Sequence, residues 1–109
     1  IYNYDVNSVA KNLLEVTGSA WTDKIVGFLC AAGGRTSYMS VMPFANSLML
    51  DFRCIILPRF VFATEVAFHG HEIVDDFILE RLDDVTATLI RFVRALAPQP
   101  QNVHPASED

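Results

Sequence analysis

Four short clusters in this chain carry groups able to do chemistry. Tyr2-Asn3-Tyr4 opens the sequence and Lys11-Asn12 follows. Gly33-Gly34-Arg35 closes an apolar run, and His69-Gly70-His71 with Glu72 sits in a polar stretch. Glycines let a backbone approach a flat ligand closely, and an arginine beside them favours negative charge on it. Plainer readings stand next to these: Tyr-Asn as a turn, Gly-Gly as a turn into a helix, Arg35 as a solvated residue near a helix start. The His pair is a conceivable metal cluster. Yet alternate His residues in a polar loop read as exposed, and no distant Cys/His set completes a site, so no metal is expected. Cys30 and Cys54 lie inside apolar runs. They read as buried free thiols, with a disulfide or redox pair as the alternative. No Ser-His-Asp arrangement is defined by the sequence, and no residue is assigned a catalytic role.

The elements that must position these groups follow from periodicity. Val9, Leu13, Leu14 and Val16 recur at helical spacing, with Asn7 or Ser8 as cap and Gly18 as stop. Ile25 to Ala31 is a near-continuous apolar run, the pattern of a strand covered on both faces. Helical spacing returns from Ser37 to Asp51, where Pro43 predicts either a kink or a first turn that carries the proline. Trp21 and Phe28 are expected in the core, and Met39, Met42 and Met49 in the core or a subunit interface. Arg53 to Leu57 reads as a second buried strand stopped by Pro58, with Phe60-Val61-Phe62 as an extension after a bend. Residues 64–71 read as a loop. A long helix is expected from Glu72 to Leu96 on the stripe Ile73, Phe77, Leu82, Val85, Leu89, Phe92 and Leu96. Residues 98–109, rich in Pro and Gln, read as a disordered tail.

Helices alternating with buried strands argue for an α/β parallel sheet with right-handed crossovers. Two strands make a poor sheet, and an unpaired edge rich in Ile, Val and Phe needs covering. The domain is therefore expected to be completed by a further segment or by another copy of itself.

Composition narrows the classes of function. The 109 residues are 51% hydrophobic and 19% charged, the balance of one globular domain with a core. The net charge is −5, and seven acids between Glu65 and Asp84 face the single base Arg81. Such a surface repels a phosphate backbone, so nucleic acid is excluded as a partner. Apolar stretches are broken well before the ~18 residues that a membrane span needs. No signal-peptide pattern is visible, and a cytoplasmic location is expected. The first residue is Ile1 rather than Met, from which a processed, trimmed or partial product is expected.

Taken in order, the clusters resemble the second half of the NADPH-dependent FMN reductase family, over roughly residues 1–97. Tyr2-Asn3 fit that family's Tyr-Asn loop after its third strand, and Lys11-Asn12 the helix that follows. Asp23-Lys24-Ile25-Val26 and Ala32-Gly33-Gly34-Arg35 look like its fourth strand and glycine turn. The resemblance implies a flavodoxin-like parallel sheet flanked by helices, of which about two strands and three helices are present. It implies FMN as cofactor, NAD(P)H as co-substrate and a flavin or quinone as acceptor. It also implies a dimer or tetramer. Tyr2, Asn3, Tyr4, Gly33, Gly34 and Arg35 would face the flavin at the strand ends. The Gly-Ser-x-Arg loop with which that family grips the FMN phosphate has no counterpart in this sequence. FMN is accordingly expected to bind this chain alone weakly or not at all. The alternative is a non-catalytic half-domain that works by self-association or partner docking.

Overall fold

The computed structural model describes Ile1, Asn3 and residues 5–97. The expected tail at 98–109 lies outside the described residues. Helix α1 (Ser8–Thr17) starts because the Asn7 side chain accepts a hydrogen bond from the Ala10 amide at 2.8 Å. It ends where Gly18 takes φ 34° and its amide bonds back to the Leu14 carbonyl. A 3-10 turn, Gly18–Trp21, leads into strand β1 (Ile25–Ala32). A second 3-10 turn, Arg35–Ser37, precedes helix α2 (Met42–Phe52), and strand β2 (Ile55–Thr64) follows. A third such turn, Glu65–Ala67, opens a small hairpin of β3 (Phe68–His69) and β4 (Glu72–Ile73). Helix α3 (Asp76–Ala95) closes the described chain. The Asp75 carboxylate caps it, accepting from the Phe77 amide at 2.9 Å and the Ile78 amide at 3.4 Å.

The fold is α/β, built on a two-stranded parallel sheet of β1 and β2. Ile25 pairs with Ile55 and Val26 with Ile56, but Phe28 pairs with Phe60. Gly27 alone therefore stands opposite Leu57, Pro58 and Arg59. This bulge explains why Pro58 does not end the strand as expected from sequence. A proline lacks the N–H that a ladder needs, and a bulge is where none is required. Gly27 suits the same spot, since a Cβ there would lie 3.1 Å from Leu57 Cδ1.

Both sheet faces carry helices. On one, Leu57, Val61 and Ala63 of β2 pack with Ile78 and Val85 of α3. On the other, Leu14 of α1 and Leu48 of α2 pack with Cys54, joined by Trp21, Val26, Phe28 and Ile56. Trp21 and Phe28 thus serve the core, as expected.

Several expectations are corrected. The second helix begins at Met42 rather than Ser37, because Pro43 sits in its first turn, the second of the two roles open to it. Met39, Met42 and Met49 are exposed, which sets aside the core for them and leaves the subunit interface of the two expected places. The expected loop at 64–71 contains a 3-10 turn and one arm of the hairpin, so Glu72 and Ile73 pair as a strand and the long helix waits for its Asp75 cap. Its buried stripe runs through Ile78 and Val85, whereas Phe77 is 66% exposed. Strand β1 is not covered on both faces. Leu29 lies on the α3 side, paired with Val61, yet is 70% exposed because α3 packs chiefly over β2. On α1 only Leu14 is buried, and Val9, Leu13 and Val16 face outward.

Cys30 and Cys54 are free thiols. Cys54 is buried, its Sγ donating to the Trp21 carbonyl at 3.0 Å. Burial pushes both thiols above their ordinary range. The Ile1 amine partly offsets this at Cys30, and the Lys24 backbone does so at Cys54.

Two outcomes follow for stability. Leu48 is fully buried, so Leu48→Ala should cost about 2–5 kcal/mol in urea unfolding. Leu29→Ala should stay within about 0.5 kcal/mol. The thiols add a pH dependence. Unfolded thiols ionise near pH ~8.5 while the folded ones keep their protons, so this contribution is fully present below that pH. It is lost as pH rises toward the folded values. The urea midpoint should therefore fall above about pH 8.5, and more steeply than in a Cys30→Ala, Cys54→Ala double variant.

Candidate ligand site at the carboxyl end of the sheet

Parallel strands present their carboxyl ends together, and here Ala32 of β1 pairs with Thr64 of β2. The opening of the chain comes to this end, for the Ile1 amine donates to the Ala31 carbonyl at 2.9 Å. Asn3 is exposed with φ 48°, a left-handed conformation that Asn tolerates. Tyr2 and Tyr4, expected to flank a ligand, lie outside the described residues. Lys11 donates to Asp5 Oδ2 at 2.7 Å and so ties the opening loop to α1. That bond, with one from the Val6 amide, holds the Asp5 carboxyl below its usual range.

Gly33 and Gly34 form the bend after β1, and Arg35 begins the 3-10 turn beyond it. A Cβ on either glycine would meet nothing within 4 Å, and neither has a left-handed φ. Neither packing nor backbone conformation therefore demands glycine here. The room beside them is what a flat ring close to the backbone requires. Arg35 is exposed and makes no hydrogen bond or ion pair among the described residues. The structure thus gathers Ile1, Gly33, Gly34 and Arg35 at one end of the sheet. It shows no hydrogen bond from Asn3 to them among the described residues.

Beside Arg35 opens a groove of about 520 Å³ whose walls include Tyr38, Phe60, Phe62, Phe77 and Arg81. The volume falls in the range of small-molecule clefts. The Tyr38 ring stacks on Phe60 with centroids 6.0 Å apart, and meets Phe62 edge-on at 6.2 Å. Arg81 Nε donates to the Phe60 carbonyl at 3.3 Å, which fixes the guanidinium against β2. Asp75 also lines the groove, but its Oδ1 is occupied by the α3 cap. Two guanidinium groups and one carboxylate leave the lining with a net positive charge.

Sequence reasoning missed all of these but Arg35. Tyr38 and Phe77 looked like members of helical stripes and are instead exposed. Two signals were available. Phe60 and Phe62 alternate along a strand and so share a face, and Arg81 stands alone among seven acids.

His69 and Glu72 pair across the hairpin, whose tip is Gly70-His71. Among the described residues no group of three His, Cys, Asp or Glu side chains is placed to hold a metal ion. Nor is any described helix long and apolar enough to cross a membrane. Comparison with family models, with curated proteins and with solved structures found no match.

The glycine bend gives a test. Gly34 has φ −150° and ψ 166°, which alanine adopts without strain. Gly34→Ala should therefore raise stability by about 0.4–1 kcal/mol in urea unfolding, through a less flexible unfolded chain. A loss of stability would mean that the backbone itself needs the glycine.

Proposed function

We propose that this chain is the C-terminal portion of a flavodoxin-like, FMN-dependent NAD(P)H oxidoreductase of the flavin or quinone reductase type. The observation that carries the reading is the joint arrival of the opening segment and the Gly33-Gly34-Arg35 bend at the carboxyl ends of two parallel strands. Flavin sites in open α/β sheets occupy that position. When bound, FMN supplies the hydride relay between NAD(P)H and its acceptor. The residues of this chain hold and orient it. Gly33 and Gly34 admit the ring edge close to the backbone. Arg35, cationic and unengaged among the described residues, favours negative charge beside that edge. Asn3 would stand in the opposite loop, and the resemblance adds Tyr2 and Tyr4, which lie outside the described residues. Two free thiols support a cytoplasmic setting.

A second reading has its own observation. Among the described residues no strand pairs with the outer edge of β1, where the Ile1 amine meets the Ala31 carbonyl; Leu29 is 70% exposed, and Val9, Leu13 and Val16 of α1 are exposed as well. A shallow groove of about 570 Å³ joins Leu13 to the Ile25–Gly27 end of the strand. Such an edge invites pairing with another chain. It supports a half-domain that works by self-association, or an oxidoreductase completed across a subunit contact.

Titrating the purified chain with FMN while following the visible spectrum and the solution mass separates the readings. The flavin reading expects a shifted band and saturable uptake, weakened by Gly34→Ala, whose added Cβ intrudes on the ring. Absence of any spectral change at millimolar FMN overturns it for this chain. The association reading expects a dimer or larger mass that Leu29→Asp converts to monomer with the circular dichroism spectrum unchanged. A monomer at all concentrations removes it.

A further inference from the structure

We propose that the groove between the β2 strand end and the start of α3 binds a planar aromatic anion, an aryl carboxylate in chemical class, and needs no flavin at the glycine bend, with which it shares Arg35. Four aromatic rings and two arginines meet in one cleft of about 520 Å³. Rings prefer offset or edge-on neighbours, and Tyr38, Phe60 and Phe62 already present both geometries. A flat aromatic guest extends that set. Phe77 strengthens the case. It lies in the first turn of an amphipathic helix, yet its side chain is 66% exposed over the cleft instead of entering the core, where Ile78 is buried.

Charge decides the acidic group. Arg35 has no hydrogen-bond or ion-pair partner among the described residues, and Arg81 spends its Nε on the Phe60 carbonyl. Its two terminal nitrogens make no hydrogen bond with a described residue. A guanidinium presents donors in a planar fork that matches a carboxylate. Asp75 is the one acid in the lining, and its Oδ1 is held by two amides of α3. An anion therefore meets a net attraction, in a chain whose total charge of −5 repels anions elsewhere. That contrast makes the cleft selective by location.

The test is calorimetric titration of the full chain with 2-naphthoate, beside neutral 2-naphthamide and non-aromatic cyclohexanecarboxylate. Naphthoate should bind with a submillimolar dissociation constant. The amide and the cyclohexane acid should each bind at least about 10-fold more weakly, since each lacks one of the two recognised features. Arg35→Gln and Phe77→Ala, both at exposed side chains and so safe for folding, should each weaken naphthoate by about 10-fold. Three results would overturn the proposal: no heat at millimolar naphthoate, equal binding of acid and amide, or unchanged affinity in both variants. Loss of FMN binding with naphthoate binding intact would sink the flavin reading and leave this one standing.

Discussion

The parallel pairing of β1 with β2 is the constraint on which the rest depends. Parallel strands cannot be joined by a tight turn, so a crossover must carry the chain back, and here that crossover holds α2. The pairing brings both carboxyl ends together and sets which face each helix covers. It also determines where the ladder must give way. With Pro58 in β2, an uninterrupted register would need an N–H that does not exist. The bulge opposite Gly27 absorbs this with an offset of two residues, which preserves the alternation of faces and leaves Phe60 and Phe62 on the face that carries Phe28.

Much of this was legible in the sequence. Ile25–Ala31 read as a strand because nothing polar interrupts it, and Asn7 and Gly18 bracketed α1 by their capping chemistry. Boundaries failed where a local rule met a tertiary one. Pro58 reads as a stop in any single-strand argument, and only the partner strand shows that a bulge can hold it. Glu72 opened the expected helix because Ile73 fits its apolar stripe, but Ile73 was taken by pairing with Phe68 across Gly70-His71, which left Asp75 to cap. The apolar spacing on α1 was read correctly as helical. Which of its members meet the core depends on how much sheet lies beneath, and spacing does not carry that.

The candidate site was legible by halves. Glycines after a strand and an arginine beside them announce a bend where backbone is accessible, and the bend is there. Whether the bend holds anything is a matter of neighbours brought from β2 and α3, far along the chain. Arg81 is the instructive residue. As the single base in an acidic run it was given no role of its own, yet its Nε bonds a carbonyl of β2. A charge that breaks a local pattern is worth asking about for that reason alone.

The bulge at Pro58 also bears on how the chain reaches its fold. The bond before a proline isomerises over tens of seconds when uncatalysed. This one lies in the strand that both halves of the core require, with Leu57 buried just before it. The bond is trans here, and chains in which it has turned cis while unfolded must return it to trans before β2 can align with β1 on both sides of Gly27. They wait with Ile, Val and Phe side chains uncovered. A prolyl isomerase would shorten that wait, and slower synthesis through the crossover would not.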